Sequence, residues 1–319
     1  MDEHAILWPY DERGEVRDFY YARYNHPTVA AAEEALGALD GGTALLFPSG
    51  TAVATALALF LLKPGDTIAL AEGAYFGTGT LFETLAPWGL RYVEFDQTGP
   101  PPAGVQLVWL EAPANPVLTT PDLEAAAAHP APVVVDSTIA TPILLRPLEH
   151  GADFVVHSVT KYLGGHDDVL LGALVCRDEA TAEGLRVYRS RTGISPAAEP
   201  ARLLLRSLPT LEVRVRRQTA TATIVAERLR SHPKVALVRH PGIGGLISFD
   251  VADGDAARRV ETSLRFVTNA TSLGGVHSVL ESRHRWEGDR IPAGLLRLSV
   301  GLEEPEEIWA DLAQALDNA

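Results

Sequence analysis

The chain has 319 residues, of which 46% are hydrophobic and 21% charged, the balance of a globular protein with ample core. A net charge of −14 argues against a sequence-independent nucleic-acid binder and against a polybasic membrane-surface protein. The single cysteine, Cys176, excludes an intrachain disulfide and a cysteine-based metal site. The start Met1-Asp-Glu-His4 is acidic and lacks the basic flank and apolar stretch of a signal peptide, so a cytoplasmic protein is expected. The first twenty residues are mixed and poorly periodic and read as an arm. Residues 29–39 form an Ala/Glu helix closed by Asp40-Gly41-Gly42. Thr43–Phe47 is a buried strand, followed by Pro48-Ser49-Gly50-Thr51 and an apolar helix over 52–62. That longest apolar run stops at Lys63-Pro64-Gly65-Asp66 and is too short to cross a bilayer.

Next come a strand at Thr67–Ala71, a helix over 80–88, a strand at Arg91–Phe95 and a Pro/Gly-rich loop over 98–104. Residues 107–110, 133–135 and 154–156 are further short apolar strands, and Cys176, after Gly-Ala-Leu-Val, reads as a buried strand cysteine. Strands alternating with helices imply a parallel sheet covered on both faces. Beyond Asp178 the texture changes to one long Arg-rich helix over 203–229, strands at 246–251, 265–267 and 295–300, and a closing helix over 304–316. The expected organisation is an arm over 1–28, a large α/β domain over 29–190 and a smaller α+β domain over 191–319. Repeats are absent.

One segment concentrates chemistry. The run Phe154-Val-Val stops abruptly and delivers His157, Ser158, Thr160 and Lys161, followed by a Gly-Gly pair. A lysine in a partly desolvated or cationic setting loses enough basicity for covalent work on a carbonyl. Ser158 and Thr160 alternate just before it, so their hydroxyls are placed for an anion. Pyridoxal phosphate carries both an aldehyde and a phosphate and suits that arrangement; a surface strand end is the plain alternative. Ligands of open parallel sheets sit at the carboxyl ends of the strands, where several other residues fall. Ser49-Gly50-Thr51 opens a helix and offers free N–H groups to a phosphate, or is simply a cap. Tyr75 follows a strand and is placed either to stack on a flat ring or to pack in the core. Asn115, in Glu111-Ala-Pro-Ala-Asn-Pro116, is otherwise a turn residue. Asp136 ends a buried strand and needs a partner, which a pyridinium nitrogen or a helix cap would supply.

Together these residues resemble the Cys/Met-metabolism family of pyridoxal-phosphate enzymes, the cystathionine γ-synthase and γ-lyase group. The likeness runs from Tyr20 to Leu316. The lysine segment is similar to S-x-T-K-Y-x-x-G-H, and Asp136-Ser-Thr138-Ile-Ala-Thr-Pro142 to D-N-T-x-x-T-P. Tyr21-Ala-Arg23-Tyr-Asn-His-Pro27-Thr28 is similar to Y-S-R-x-x-N-P-T, Ser49-Gly50-Thr51-Ala52 to S-G-M-A, and Glu111-Ala-Pro-Ala-Asn115-Pro116 to E-S-P-x-N-P. Ser272-Leu-Gly-Gly275 and Leu296-Arg297-Leu-Ser-Val-Gly301 complete the order.

The resemblance implies the fold type I architecture of aminotransferase-like enzymes, with pyridoxal 5'-phosphate as cofactor and a sulfur amino acid as substrate. It implies that Lys161 bonds to the cofactor and moves protons, and that Asp136 pairs with the ring nitrogen. Tyr75 would stack on the ring and serve as acid or base. Gly50, Thr51, Ser158, Thr160 and Thr138 would hold the cofactor from within the chain. Tyr21 and Arg23 would reach a neighbouring subunit's phosphate, making a dimer of dimers with shared sites. Arg297, with Ser272 and Asn115, would bind the substrate carboxylate.

Departures narrow the reading. The arm before Tyr21 is short, and the loop over 98–104 stands where the family has an extra helix. Thr271 stands where γ-lyases commonly carry glutamate, and His277 where Glu is usual, as a structural or a catalytic histidine. Ser137 replaces the family Asn, and Glu199 a common Asp. Gly77 disfavours the methionine γ-lyase branch and Leu273 the cystathionine β-lyase branch. The leading expectation is γ-elimination or γ-replacement on cystathionine or an activated homoserine. A sulfhydrylase or broader C–S lyase of the same family is the rival. A non-catalytic binding protein would have lost Lys161, Asp136, Tyr75 or Arg297, and all four are present. A metal enzyme using His157 and His166 finds no ligand spacing to support it, and no metal site is expected.

Overall fold

The strand candidates of the first half assemble into one seven-stranded sheet in the computed structural model, which describes residues 5–318. The acidic start, Met1 to His4, lies outside the described residues. The strands are β1 (Thr43–Phe47), β2 (Thr67–Ala71), β3 (Arg91–Phe95), β4 (Leu107–Glu111), β5 (Val133–Asp136), β6 (Phe154–Ser158) and β7 (Gly172–Cys176). Their order is β1-β7-β6-β5-β4-β2-β3. Only β7, which carries the buried Cys176, runs against its two neighbours; the pairs from β6 through β3 are parallel.

Alternation along β1 and β7 serves two cores. Leu45 and Phe47 face one, with Leu174 and Cys176; Ala44 and Leu46 face the other, with Ala173 and Val175. The first is covered by the helices Gly50–Leu61, Phe76–Leu85 and Glu179–Thr192, the second by Pro27–Asp40, Ala198–Ser207 and the start of Leu211–Arg230. Burial on both faces is why these strands, apart from the exposed edge strand β3, read as apolar runs without a polar side.

The second sheet holds β8 (Leu237–Arg239), β9 (Leu246–Asp250), β10 (Thr268–Asn269), β11 (Val279–Ser282) and β12 (Leu295–Ser299), in the order β10-β11-β12-β9-β8. It is antiparallel apart from β10 with β11. The helices Gly254–Ser263 and Pro305–Asp317 and the end of Leu211–Arg230 close its core.

Strands β8 and β11 were not expected from the sequence, and three expected elements take another form. Residues 203–229 are two helices, Ala198–Ser207 and Leu211–Arg230, joined by a 3-10 turn at Leu208–Thr210. Pro209 sits in that turn and cannot continue the helical hydrogen bonds. Residues 265–267 are not a strand. The carboxylate of Asp311 captures the backbone N–H groups of Arg265, Phe266 and Val267 at 2.9, 2.9 and 2.8 Å, so strand pairing begins only at Thr268. The helix expected over 80–88 starts at Phe76 and ends at Leu85, with Pro87 in a 3-10 turn beyond it.

Candidate active site

A cavity of about 340 Å³ opens at the carboxyl ends of the large sheet, and the segment leading into β11 together with β12 closes its far side. Gly50 and Thr51 enter it after β1, Tyr75 after β2, Asn115 after β4, Asp136 and Thr138 at the end of β5, and Ser158, Thr160 and Lys161 at and after β6. Ser272 and Arg297 enter from the small sheet's side. Eleven of the thirteen expected residues therefore meet in one pocket. Tyr21 and Arg23 do not line it: Arg23 Nη1 donates to Ser190 O at 2.7 Å and Nη2 to the Tyr24 hydroxyl at 3.2 Å.

At one end, Ser49 Oγ accepts from Ala52 N at 3.1 Å and caps the helix. The N–H groups of Gly50 and Thr51 are left without intrahelical partners at the positive end of the helix dipole. A Cβ on Gly50 would come within 3.2 Å of Ser158 Cβ, so glycine lets this turn press against the lysine strand. Thr138 Oγ1 donates to Asp136 Oδ1 at 2.5 Å and accepts from Ser158 N at 2.8 Å, locking β5 to β6. Thr160 Oγ1 exchanges hydrogen bonds with the backbone of Leu171, donating at 3.3 Å and accepting at 3.2 Å.

Lys161 Nζ donates to Ser272 Oγ at 2.9 Å. Burial, and then the charge of Arg297, push its pKa down to about 8. Ser272 holds φ at 87°, a left-handed conformation that costs a non-glycine residue and tends to persist at functional sites. Arg297 is 3% exposed; its Nη1 donates to Asn115 Oδ1 at 2.8 Å, and its Nη2 to Ser272 O at 2.8 Å and Glu281 Oε1 at 2.5 Å. Burial, reinforced by Arg283, lowers its pKa to about 10.

Several residues were not picked out from the sequence. Glu111 faces Asp136 across the β4–β5 register, and Tyr75 N donates to its Oε2 at 2.6 Å. Burial, then the charge of Asp136, holds its carboxyl well above the carboxylate range. Glu281 lies opposite Arg297 in the β11–β12 register and also receives Arg283 Nη1 at 2.8 Å. Two charges spaced two apart at a strand end, Glu281 and Arg283, were the available signal, since period two puts both on one face. Thr271 lines the pocket and donates to Glu281 Oε1 at 3.2 Å. His277 lies outside it, with a side chain 79% exposed. His166 Nδ1 lies 2.8 Å from Gly164 O inside the lysine loop. His157 points away, fully buried 2.5 Å from Asp40. Among the described residues no group of three or more His, Cys, Asp or Glu side chains could hold a metal ion.

Comparison with known proteins agrees with this geometry. The family described as Cys/Met metabolism PLP-dependent enzyme matches residues 3–317. A putative cystathionine gamma-lyase of Streptomyces coelicolor is 39% identical, over 94% of this chain and 84% of its own length. An L-methionine gamma-lyase of Streptomyces avermitilis is 42% identical over 93% and 75%. The crystal structure of metB from Corynebacterium glutamicum superposes with a TM-score of 0.94 at 36% identity, covering 98% of this chain and 91% of that one.

The residues present fit the cofactor that such enzymes use. Asp136 is half-buried, both hydrogen bonds it accepts from Thr138 go to Oδ1, and desolvation pushes its pKa up. A protonated ring nitrogen would give this carboxylate a cationic partner inside the pocket. At the other end, free backbone N–H groups and hydroxyls converge where an anion would sit.

Proposed function

The chain belongs to the Cys/Met-metabolism family of PLP-dependent enzymes, and from that premise we propose that its pocket carries out γ-elimination or γ-replacement on sulfur amino acids or activated homoserines. The observation that carries this reading is a single cavity holding a lysine with a pKa lowered to about 8, a half-buried carboxylate at a strand end and a buried arginine. Bound pyridoxal phosphate supplies the electron sink for charge left on the substrate's α- and β-carbons.

The chain's own residues divide the remaining work. The Arg297 guanidinium, steadied by Asn115, grips the substrate α-carboxylate, with Ser272 beside it. Lys161 Nζ, neutral in part near physiological pH, takes the proton from the α-carbon. Tyr75, held in place through its backbone by Glu111, would stack on the ring of bound cofactor and serve the γ-leaving group as acid or base. Asp136 would pair with the ring nitrogen of bound cofactor, and the N–H groups of Gly50 and Thr51 would hold its phosphate with Ser158, Thr160 and Thr138. Water then gives a 2-oxo acid and ammonia, and an incoming thiol gives replacement.

Tyr21 and Arg23, which lie away from their own chain's pocket, serve the neighbouring subunit's phosphate in a dimer of dimers. The chain divides into an arm to residue 28, a cofactor domain to residue 190 and a C-terminal domain, and it works in the cytoplasm. A sulfhydrylase or broader C–S lyase remains the second reading, supported by Thr271 where γ-lyases commonly carry glutamate.

The test is the product profile of purified, cofactor-loaded protein given L-cystathionine, with and without O-succinylhomoserine and cysteine. Cysteine and 2-oxobutanoate from cystathionine alone establish the lyase; cystathionine appearing from the two added substrates establishes the synthase. Lys161→Ala abolishes turnover by more than a thousandfold and removes the visible absorbance of the bound cofactor. A coloured, active Lys161→Ala protein sinks the assignment.

A further inference from the structure

One wall of the pocket is built from residues the reaction above leaves unused. Phe76 packs edge-on against Tyr75, 5.0 Å between ring centroids at 62°. It also stacks with Trp286, 6.4 Å away and 10° from parallel. Tyr75, Phe76 and Trp286 all line the cavity, and Trp286 is 50% exposed. The Arg283 guanidinium lies 5.7 Å from the Phe76 centroid. The indole N–H of Trp286 donates to Glu281 Oε2 at 3.0 Å, while Oε1 of the same carboxylate takes Arg297 and Arg283. The aromatic wall is thus fastened to the arginine that grips the substrate.

The charges beside this wall are already committed to one another. Glu281 receives Arg297, Arg283, Thr271 and Trp286, and Glu287 receives Arg283 Nη2 at 2.8 Å. Glu111 accepts from Tyr75 N and is driven toward its neutral form by burial. Two arginines and two glutamates, 283, 297, 281 and 287, balance. An ammonium at the far end of a substrate finds no free carboxylate among them, and a far carboxylate finds on Arg283 only the buried Nε, since Nη1 and Nη2 are held by Glu281 and Glu287. Ring faces remain. They favour sulfur and apolar groups, whereas a charged tail placed there loses hydration without a partner.

We propose that this wall selects amino acids whose γ-substituent is an uncharged thioether over those whose γ-substituent ends in ammonium and carboxylate, and that Trp286 is the specificity-determining residue. The inference rests on the γ-elimination reading and goes against the expectation from Gly77, which disfavours the methionine γ-lyase branch. In that reaction the Cγ–S bond breaks, the thiol leaves with a proton, and one water yields 2-oxobutanoate and ammonia.

The experiment compares S-ethyl-L-homocysteine with L-cystathionine on cofactor-loaded wild type, Trp286→Ala and Trp286→Phe. Wild type favours the thioether at least tenfold in kcat/KM. Trp286→Ala erases about tenfold of that ratio, chiefly through a higher KM for the thioether, and Trp286→Phe restores most of it. A second readout needs no turnover: L-norleucine quenches the fluorescence that wild type has and Trp286→Phe lacks. Elimination without the preference, or a ratio unmoved in Trp286→Ala, overturns the wall and leaves the reaction standing, and would point to a partner chain as the source of distal recognition. Norleucine quenching with no elimination of any substrate sinks the reaction and keeps the wall. Cystathionine displacing norleucine at equal or lower concentration overturns the wall.

Discussion

Lys161 is prepared for its task by its surroundings before any ligand arrives. Burial and the neighbouring Arg297 disfavour its ammonium form, and its folded pKa of about 8 lies below the ordinary 10.5. The unfolded chain therefore binds this proton more tightly than the folded one. The penalty to folding is full below about 8 and lifts as pH rises from about 8 toward 10.5. The same titration governs capture of the cofactor aldehyde by apo-protein. Its rate should climb as pH rises through about 8 and level off above, read by stopped-flow absorbance; a flat profile across that range would contradict the lowered pKa. Lys161 and Asp136 were legible in the sequence because each ends an apolar run, where a charge has no business unless something answers it. Glu281 and Arg283 were not, because their meaning depends on β11 lying beside β12, and no local pattern announces that pairing.

At the scale of elements, the corner between Ala198–Ser207 and Leu211–Arg230 does more than turn the chain. Arg214, 4% exposed, donates from Nη1 to Tyr162 O at 2.7 Å, from Nη2 to Ser207 O at 3.1 Å and from Nε to Thr210 Oγ1 at 3.1 Å. It ties the helix corner to the residue after Lys161, and Gly165 leaves it room, since a Cβ there would lie 2.1 Å from Nη1. Arg214→Met should destabilise the fold by roughly 2–4 kcal/mol, because two buried carbonyls lose charged donors. Denaturant unfolding measures the loss, and a change below about 0.5 kcal/mol would mean water replaces the guanidinium freely. Strands of the first half were readable to within two residues, since burial on both faces leaves apolar runs in all of them but the exposed edge strand β3. The break at Pro209 and the capture of 265–267 by Asp311 were harder: the first hides inside a helical period, and the second is a contact across 44 residues of chain.

For the whole molecule, the proposed sharing of sites between subunits is the decisive question. Arg23→Ala and Lys161→Ala chains, each inactive alone, should regain up to about a quarter of wild-type activity when mixed and re-associated, because some sites then combine two intact halves. Absence of any regain, with mixed oligomers demonstrated by mass spectrometry, would place the action of Arg23 within its own chain.

The pocket is also a joint between the two sheets. Arg297 on β12 reaches Asn115 after β4, and Ser248 Oγ on β9 donates to Pro116 O at 2.6 Å. Asn115 therefore waits 182 residues for its partner, on the order of ten to forty seconds at ribosomal speeds. A nascent chain passes through a stage with Gly50, Thr51 and Lys161 already synthesised and Arg297 still unmade. On the proposed reading, discrimination among amino acids is thus the last property this protein acquires as it is made.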